Sequence, residues 1–204
     1  ASLAASFSGS ISFDSANSTF STQNSSASAV SYTVVTALTG MSCASSCDTS
    51  TNYALAKNID ATSFTSYNNV RGAGTNGYAG TFAGLGHTIT NLKLGTSGTT
   101  NVGIFYSTAA TASIRDLIVG GATITGGNYA ASLVGQAANG LTLTNVVLNA
   151  ASTVTSNGNY VGGLVGYAGT GSLNNVYELS STVTDSAAST GVGALVGYGG
   201  LTLT

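Results

Sequence analysis

Charge is the scarcest property of this chain, and each thing that is missing closes off a class of function. Only four of its 204 residues are basic, and Lys57, Arg71, Lys93 and Arg115 are scattered. No basic stripe exists to neutralise a phosphate backbone, which argues against nucleic acid as a partner. The six acidic residues, Asp14, Asp48, Asp60, Asp116, Glu178 and Asp185, are equally dispersed. Glycosidic cleavage needs two carboxylates facing one bond, or a base with a cationic partner for elimination, so no catalytic residue is assigned. No apolar run approaches the roughly 20 residues of a membrane-spanning helix. The chain opens without an initiator Met or a signal peptide, as a processed or excised segment would. Proline and tryptophan are absent, and Gly, Ser, Thr, Ala and Asn dominate. Such low complexity can mean disorder, but 43% hydrophobic residues at regular spacing argue for a buried interior.

Cys43 and Cys47 are the only cysteines and enclose three residues of a Ser-rich stretch. The spacing permits a small disulfide loop, free thiols or half of a metal site. Zinc would need further thiolate or imidazole ligands, and the one histidine, His87, is distant, so no metal or other cofactor is expected. A Cys43–Cys47 disulfide is the expectation, and it implies an oxidising compartment.

What the chain does have is repetition. Ala131-Ser132-Leu133-Val134-Gly135, Gly162-Gly163-Leu164-Val165-Gly166 and Gly193-Ala194-Leu195-Val196-Gly197 are near copies, with Leu133, Leu164 and Leu195 evenly spaced. A degenerate copy, Val102-Gly103-Ile104-Phe105, precedes them, and Tyr129, Tyr160, Tyr167 and Tyr198 recur in the same phase. A fixed period of about 30 residues is the mark of a solenoid. Residues 1–60 lack the repeat and read as lead-in coils, with half-buried strands around Phe7 to Phe13 and Tyr32 to Leu38 and a loop over Ser21 to Ser28. Residues 61–204 read as repeats continuous with them. Asn68 to Gly80 is a second loop; its Gly72-Ala73-Gly74-Thr75-Asn76-Gly77 spells a dinucleotide fingerprint but lacks the strand, helix and acid that motif requires.

Within the repeats, side-chain parity breaks at one place. Ile89, Ile114, Leu143 and Leu173 are followed two positions later by Asn91, Asp116, Asn145 and Asn175, and then at once by an apolar residue. A continuous strand puts residues i and i+3 on opposite faces, so the chain must bend at the Asn or Asp. These residues tolerate the left-handed conformation. Stacked coils are therefore expected to place Asn91, Asp116, Asn145 and Asn175 above one another as a corner ladder, with Leu133, Leu164 and Leu195 in the core. The glycines of the Gly-Gly-Leu-Val-Gly block are expected at another corner. Each coil then holds three short strands, near Leu164-Val165, Ser172 to Leu179 and Thr182-Val183-Thr184. The fold class is all-β, a right-handed parallel β-helix. His87 is expected at a corner, bonded to backbone. Glu178 stands where other coils carry Leu94, Val119 and Leu148, so the strand is expected to end early and turn Leu179 inward. Thr123-Ile124-Thr125, Thr153-Val154-Thr155 and Thr182-Val183-Thr184 recur in phase, a pattern of outward threonines that also admits ice binding.

Tyr32-Thr33-Val34-Val35, Asn52 through Ala61, Gly80-Thr81-Phe82-Ala83-Gly84-Leu85-Gly86-His87-Thr88-Ile89-Thr90-Asn91-Leu92 and Val161 through Gly166, in that order, resemble the GLUG-repeat regions of large secreted bacterial proteins. Filamentous haemagglutinin-like exoproteins of the two-partner secretion type share the pattern. The resemblance covers residues 30–204. It implies an extracellular or bacterial cell-surface β-helical stalk displaying adhesive surface, without catalysis, whose partners are a host or neighbouring-cell receptor or glycan. Two other classes remain: a carbohydrate-active β-helix enzyme, which a groove gathering several carboxylates would favour, and a subunit of an extracellular filament of identical chains. Leu201-Thr202-Leu203-Thr204 repeats Leu141-Thr142-Leu143-Thr144, after which the earlier copy reaches Asn145. The sequence thus stops within a coil, and the native protein is expected to continue, or another chain to stack there.

Overall fold

The computed structural model describes residues 9–23, 28–41, 49–64, 77–149, 151–188 and 190–204. Cys43, Cys47 and most of the glycine-rich loop, Gly72 to Asn76, lie outside them. The strands are β1 (Thr19–Thr22), β2 (Val30–Val35), β3 (Tyr53–Leu55), β4 (Ile59–Asp60), β5 (Thr81–Ala83), β6 (Thr88–Thr90), β7 (Lys93–Leu94), β8 (Phe105–Thr108) and β9 (Ser113–Gly120). They continue as β10 (Thr123–Gly126), β11 (Val134–Ala137), β12 (Leu141–Asn149), β13 (Thr153–Ser156), β14 (Val161–Gly162), β15 (Val165–Glu178), β16 (Thr182–Asp185), β17 (Val192–Gly193) and β18 (Val196–Leu203). Among the described residues the only helical turn is a short 3-10 segment, Leu38–Met41.

Nearly all pairing is parallel and between successive coils, which makes the fold an all-β solenoid. One face stacks β2, β3, β5, β9, β12, β15 and β18 in that order. Ile114, Leu143, Leu173 and Leu203 are register partners on it, 29 or 30 residues apart. A second face stacks β8, β11, β15 and β18, with Phe105, Val134, Val165 and Val196 in register. A third stacks β7, β10, β13 and β16. β15 serves two faces because it runs through a corner, its first part lying on β11 and its second on β12.

The interior is one continuous apolar column. Leu133 and Leu164 are fully buried, and Leu195 packs half-buried on the same cluster. Successive amides tie them together, Leu133 N to Leu164 O at 3.2 Å and Leu164 N to Leu195 O at 3.0 Å. The glycines beside them permit a tight corner. A Cβ on Gly162 would strike the carbonyl of Val165, and one on Gly163 the carbonyl of Ala194 in the following coil. These contacts are with backbone, which cannot swing aside as a side chain could.

The start of the chain differs from its expected form. Residues 9–13 form no strand. They cross the solenoid as an extended strap, held by Ile11 N to Leu85 O (3.1 Å) and Phe13 N to Ala56 O (2.9 Å). Ile11 is exposed, and Phe13 joins Phe20 and Tyr32 in a small cluster outside the main core. Ser21 and Thr22, expected in a loop, belong to β1, which pairs antiparallel with β2. Alternating hydrophobicity marks one apolar side equally well in a strand and in a strap, so only long-range pairing separates them.

Candidate binding surface

Asp116, Asn145 and Asn175 stand above one another at a corner shared by β9, β12 and β15, with φ of 55°, 52° and 55°. The left-handed turn there lets Leu143 and Val146 both point inward and both be fully buried. The side chains form a directed chain: Asn175 Nδ2 donates to Asn145 Oδ1 at 2.7 Å, and Asn145 Nδ2 donates to Asp116 Oδ1 at 2.8 Å. A carboxylate only accepts, so an acid fits the receiving end of such a ladder. Asp116 also takes the Arg115 guanidinium at 3.0 Å, and Arg115 reaches the Tyr32 hydroxyl at 3.2 Å.

Asn91 does not belong to this ladder, which corrects the expected set of four. It is a corner residue with φ of 59°, but Ile89 pairs with Val119 and Thr90 with Gly120, so its register neighbour is Gly121. Its corner continues through Gly121 and Ala151, at φ of 61° and 63°. The place beneath Asp116 is held by Gly84, where a Cβ would strike the Asp116 carbonyl. The cause is an insertion. Four residues, Gly84 to His87, separate Ala83 from Thr88, whereas two separate their partners Arg115 and Ile118.

The second corner starts on an acid as well. Asn91 Nδ2 donates to Asp60 Oδ1 at 3.1 Å, and Asp60 also accepts from the Thr62 hydroxyl (2.6 Å) and amide (3.0 Å). The Thr62 hydroxyl, with Asn91 and the Thr62 amide behind it, holds the Asp60 carboxyl below its ordinary value. His87 is buried in the insertion, its Nε2 bonded to the Ile11 carbonyl at 2.8 Å and its Nδ1 3.1 Å from Asn58 Oδ1. It pins the strap. The expected inward turn of Leu179 does not occur: β15 continues to Glu178 in register with Leu148, and Leu179 is 42% exposed. Glu178 instead accepts the Ser181 amide, so its carboxylate is used in closing the turn.

The remaining feature was visible in the sequence only as unassigned periodicity. Tyr129 and Tyr160 occupy a third corner at φ of 58° and 62°, above Asn101 at 54°. Tyr167 and Tyr198 are register partners on the adjoining face, above Gln136 and Ser107. The four rings form one cluster. Tyr129 stacks on Tyr160 (centroids 5.5 Å, interplanar angle 16°) and Tyr167 on Tyr198 (5.8 Å, 11°). Edge contacts join the two stacks, Tyr160 to Tyr167 at 5.3 Å and Tyr129 to Tyr167 at 5.8 Å. Beside them opens a cleft of about 780 Å³, bordered by Tyr167, Asn101, Gln136, Ser107 and Asn139. Asn101 Nδ2 donates to Gln136 Oε1 at 2.9 Å. No described residue lining the cleft is charged.

On the third face, Thr123, Thr153 and Thr182 stand in register, as do Thr125, Thr155 and Thr184. No group of three or more His, Cys, Asp or Glu comes together among the described residues.

No family model matches this chain, and no solved structure matches it. It is 34% identical over 113 residues to part of Halomucin from Haloquadratum walsbyi (strain DSM 16790 / HBSQ001). That stretch is 52% of this chain and 1% of Halomucin, so the chain spans only a small fraction of the protein it resembles. The solenoid fold and this likeness are compatible with a structural module of a cell surface.

Proposed function

We propose that this chain is a structural and adhesive β-helix module of an extracellular or cell-surface exoprotein of the GLUG-repeat, filamentous haemagglutinin-like kind, and that it performs no catalysis. The observation that carries the reading is how the polar groups are used. Asp60, Asp116, Asn91, Asn145 and Asn175 are committed to corners, His87 to the strap and Glu178 to a turn. The side chains that recur outward are tyrosines, threonines and amides, which suit contact rather than bond cleavage. The likeness to Halomucin supports a place at the cell surface.

The purified chain, fluorescently labelled, should adhere saturably to intact cells and release no reducing ends from a panel of polysaccharides. Absence of adhesion to every cell type tried, together with polysaccharide cleavage, would replace this reading with the enzymatic one. The in-register threonines favour one second reading, ice binding, because stacked β-strands space them on a regular two-dimensional grid. Ice-affinity partitioning decides it: recovery of the chain in the ice fraction supports that reading, and exclusion removes it.

A further inference from the structure

The tyrosine cluster and its cleft carry an inference that rests on the adhesive reading and names the chemistry of the partner. We propose that the cleft beside Tyr167 binds a pyranose unit of a neutral polysaccharide, with the Tyr167 ring as the platform and the amides of Gln136 and Asn101 as its polar partners.

The order of side chains in one column sets the platform. Tyr198 stacks on Tyr167 from the following coil, and Gln136 stands in the preceding one. Gln136 and Tyr167 border the cleft, so it opens on the side of Tyr167 away from Tyr198. That ring is held in place by Tyr198 behind it and by Tyr129 and Tyr160 at its edge. A platform fixed by its neighbours loses little freedom on binding. A pyranose has an apolar face of C–H bonds and a rim of hydroxyls, which complement an aromatic plane with donors and acceptors around it. The Asn101–Gln136 hydrogen bond uses one atom of each amide and fixes both. Gln136 Nε2 and Asn101 Oδ1 are left as a donor and an acceptor for sugar hydroxyls.

Charge selects the class of glycan. A uronate or sulfate brought into this cleft would find no cation among the described lining residues, and an unpaired charge is costly to desolvate. A single-stranded nucleic acid would stack on tyrosine but needs basic residues along its backbone. A neutral chain has no such requirement.

The chain lacks tryptophan, so its emission comes from its ten tyrosines, of which Tyr167 borders the cleft. Titration of the whole 204-residue chain, followed by that emission and by calorimetry, should use neutral glucose, mannose and galactose hexasaccharides. A sulfated hexasaccharide and a proline-rich decapeptide serve as the contrasting probes. At least one neutral hexasaccharide should bind. Tyr167→Ala should weaken it by about tenfold or more, while Tyr167→Phe, which keeps the platform, should stay within about twofold. Gln136→Ala should weaken binding while leaving all four rings of the aromatic cluster in place, so it tests the site even where Tyr167→Ala fails to fold. Thr153→Val, on the separate threonine face, should leave binding unchanged. Binding by none of the neutral probes, binding only of the sulfated or proline-rich probe, or full affinity in both Tyr167→Ala and Gln136→Ala overturns the proposal. Persisting cell adhesion with no neutral-sugar binding removes this inference alone; loss of both removes the adhesive reading as well.

Discussion

The two halves of the solenoid fill their interiors differently. In the early coils aromatic rings occupy the core, while Phe13, Phe20 and Tyr32 form a separate cluster outside it. Tyr53, Tyr78, Phe82 and Phe105 are all buried, with Tyr78 and Phe105 stacked at 4.9 Å and Phe82 edge-on to Phe105 at 5.4 Å. In the later coils the interior is aliphatic and the rings stand outside. The change can be followed along single columns: Tyr53, Phe82, Ile114, Leu143 and Leu173 succeed one another in register, and Phe105 gives way to Val134, Val165 and Val196. On the outer side Ser107 and Gln136 give way to Tyr167 and Tyr198. The early coils also vary in length and carry an insertion and a strap, so large rings fill an irregular space there. The regular coils close with β-branched and Leu side chains and can present their tyrosines outward.

That contrast predicts unequal costs for truncation. Phe82→Ala removes a ring touching two coils in the irregular half and should cost about 3 to 5 kcal/mol. Leu164→Ala in the regular half should cost about 2 to 5 kcal/mol, toward the low end because neighbouring Leu and Val residues can close around a smaller void. Urea unfolding of both variants checks the order. A Leu164→Ala protein less stable than Phe82→Ala would break the comparison.

The corners sharpen it further. Asn145→Val places a β-branched residue at φ of 52° and removes both the bond to Asp116 and the one from Asn175, and it should cost about 1 to 3 kcal/mol. An unfolding midpoint equal to that of the parent would remove the ladder as a source of stability. Ala151 is the opposite case. It sits at φ of 63° in register with Gly121 and has no side-chain group to hold the turn. Ala151→Gly should therefore raise stability by about 0.5 to 1 kcal/mol, the relief of left-handed strain exceeding the entropic cost of the glycine. A lower melting temperature for that variant would show the corner is not strained.

These corners also show what the sequence makes legible. The parity break was readable because a buried residue at i and another at i+3 cannot share a straight strand, and Asp116, Asn145 and Asn175 follow from that alone. Asn91 satisfies the same local pattern yet belongs to another corner, since Ile89-Thr90-Asn91-Leu92 and Ile114-Arg115-Asp116-Leu117 look alike until Ile89 is seen to pair with Val119. Local pattern reports that a bend exists; pairing between distant coils decides which bend it is. The strap over residues 9–13 and the outward turn of Leu179 escaped for the same reason. The tyrosines recur in phase along the sequence, but whether periodic rings lie inside or outside depends on the glycines and left-handed residues between them.

The smallest expected effect concerns acid. Asp60 accepts from the Thr62 hydroxyl, Asn91 and the Thr62 amide, and its folded pKa lies below the ordinary carboxylate value. A carboxyl whose pKa is depressed in the folded state contributes stability above its unfolded pKa and loses it as pH falls through the folded value. The window is therefore below about pH 4, where a proton on Asp60 would compete with the amide of Asn91 for the same oxygens. Asp60→Asn keeps the shape of the corner but cannot titrate. Urea midpoints of the two proteins should differ at neutral pH and converge in acid, as the parent loses the contribution that the variant never had. A gap between them that is the same at pH 3 and pH 7 would mean that the carboxylate's charge contributes nothing, and that the corner is held by its hydrogen-bond geometry alone.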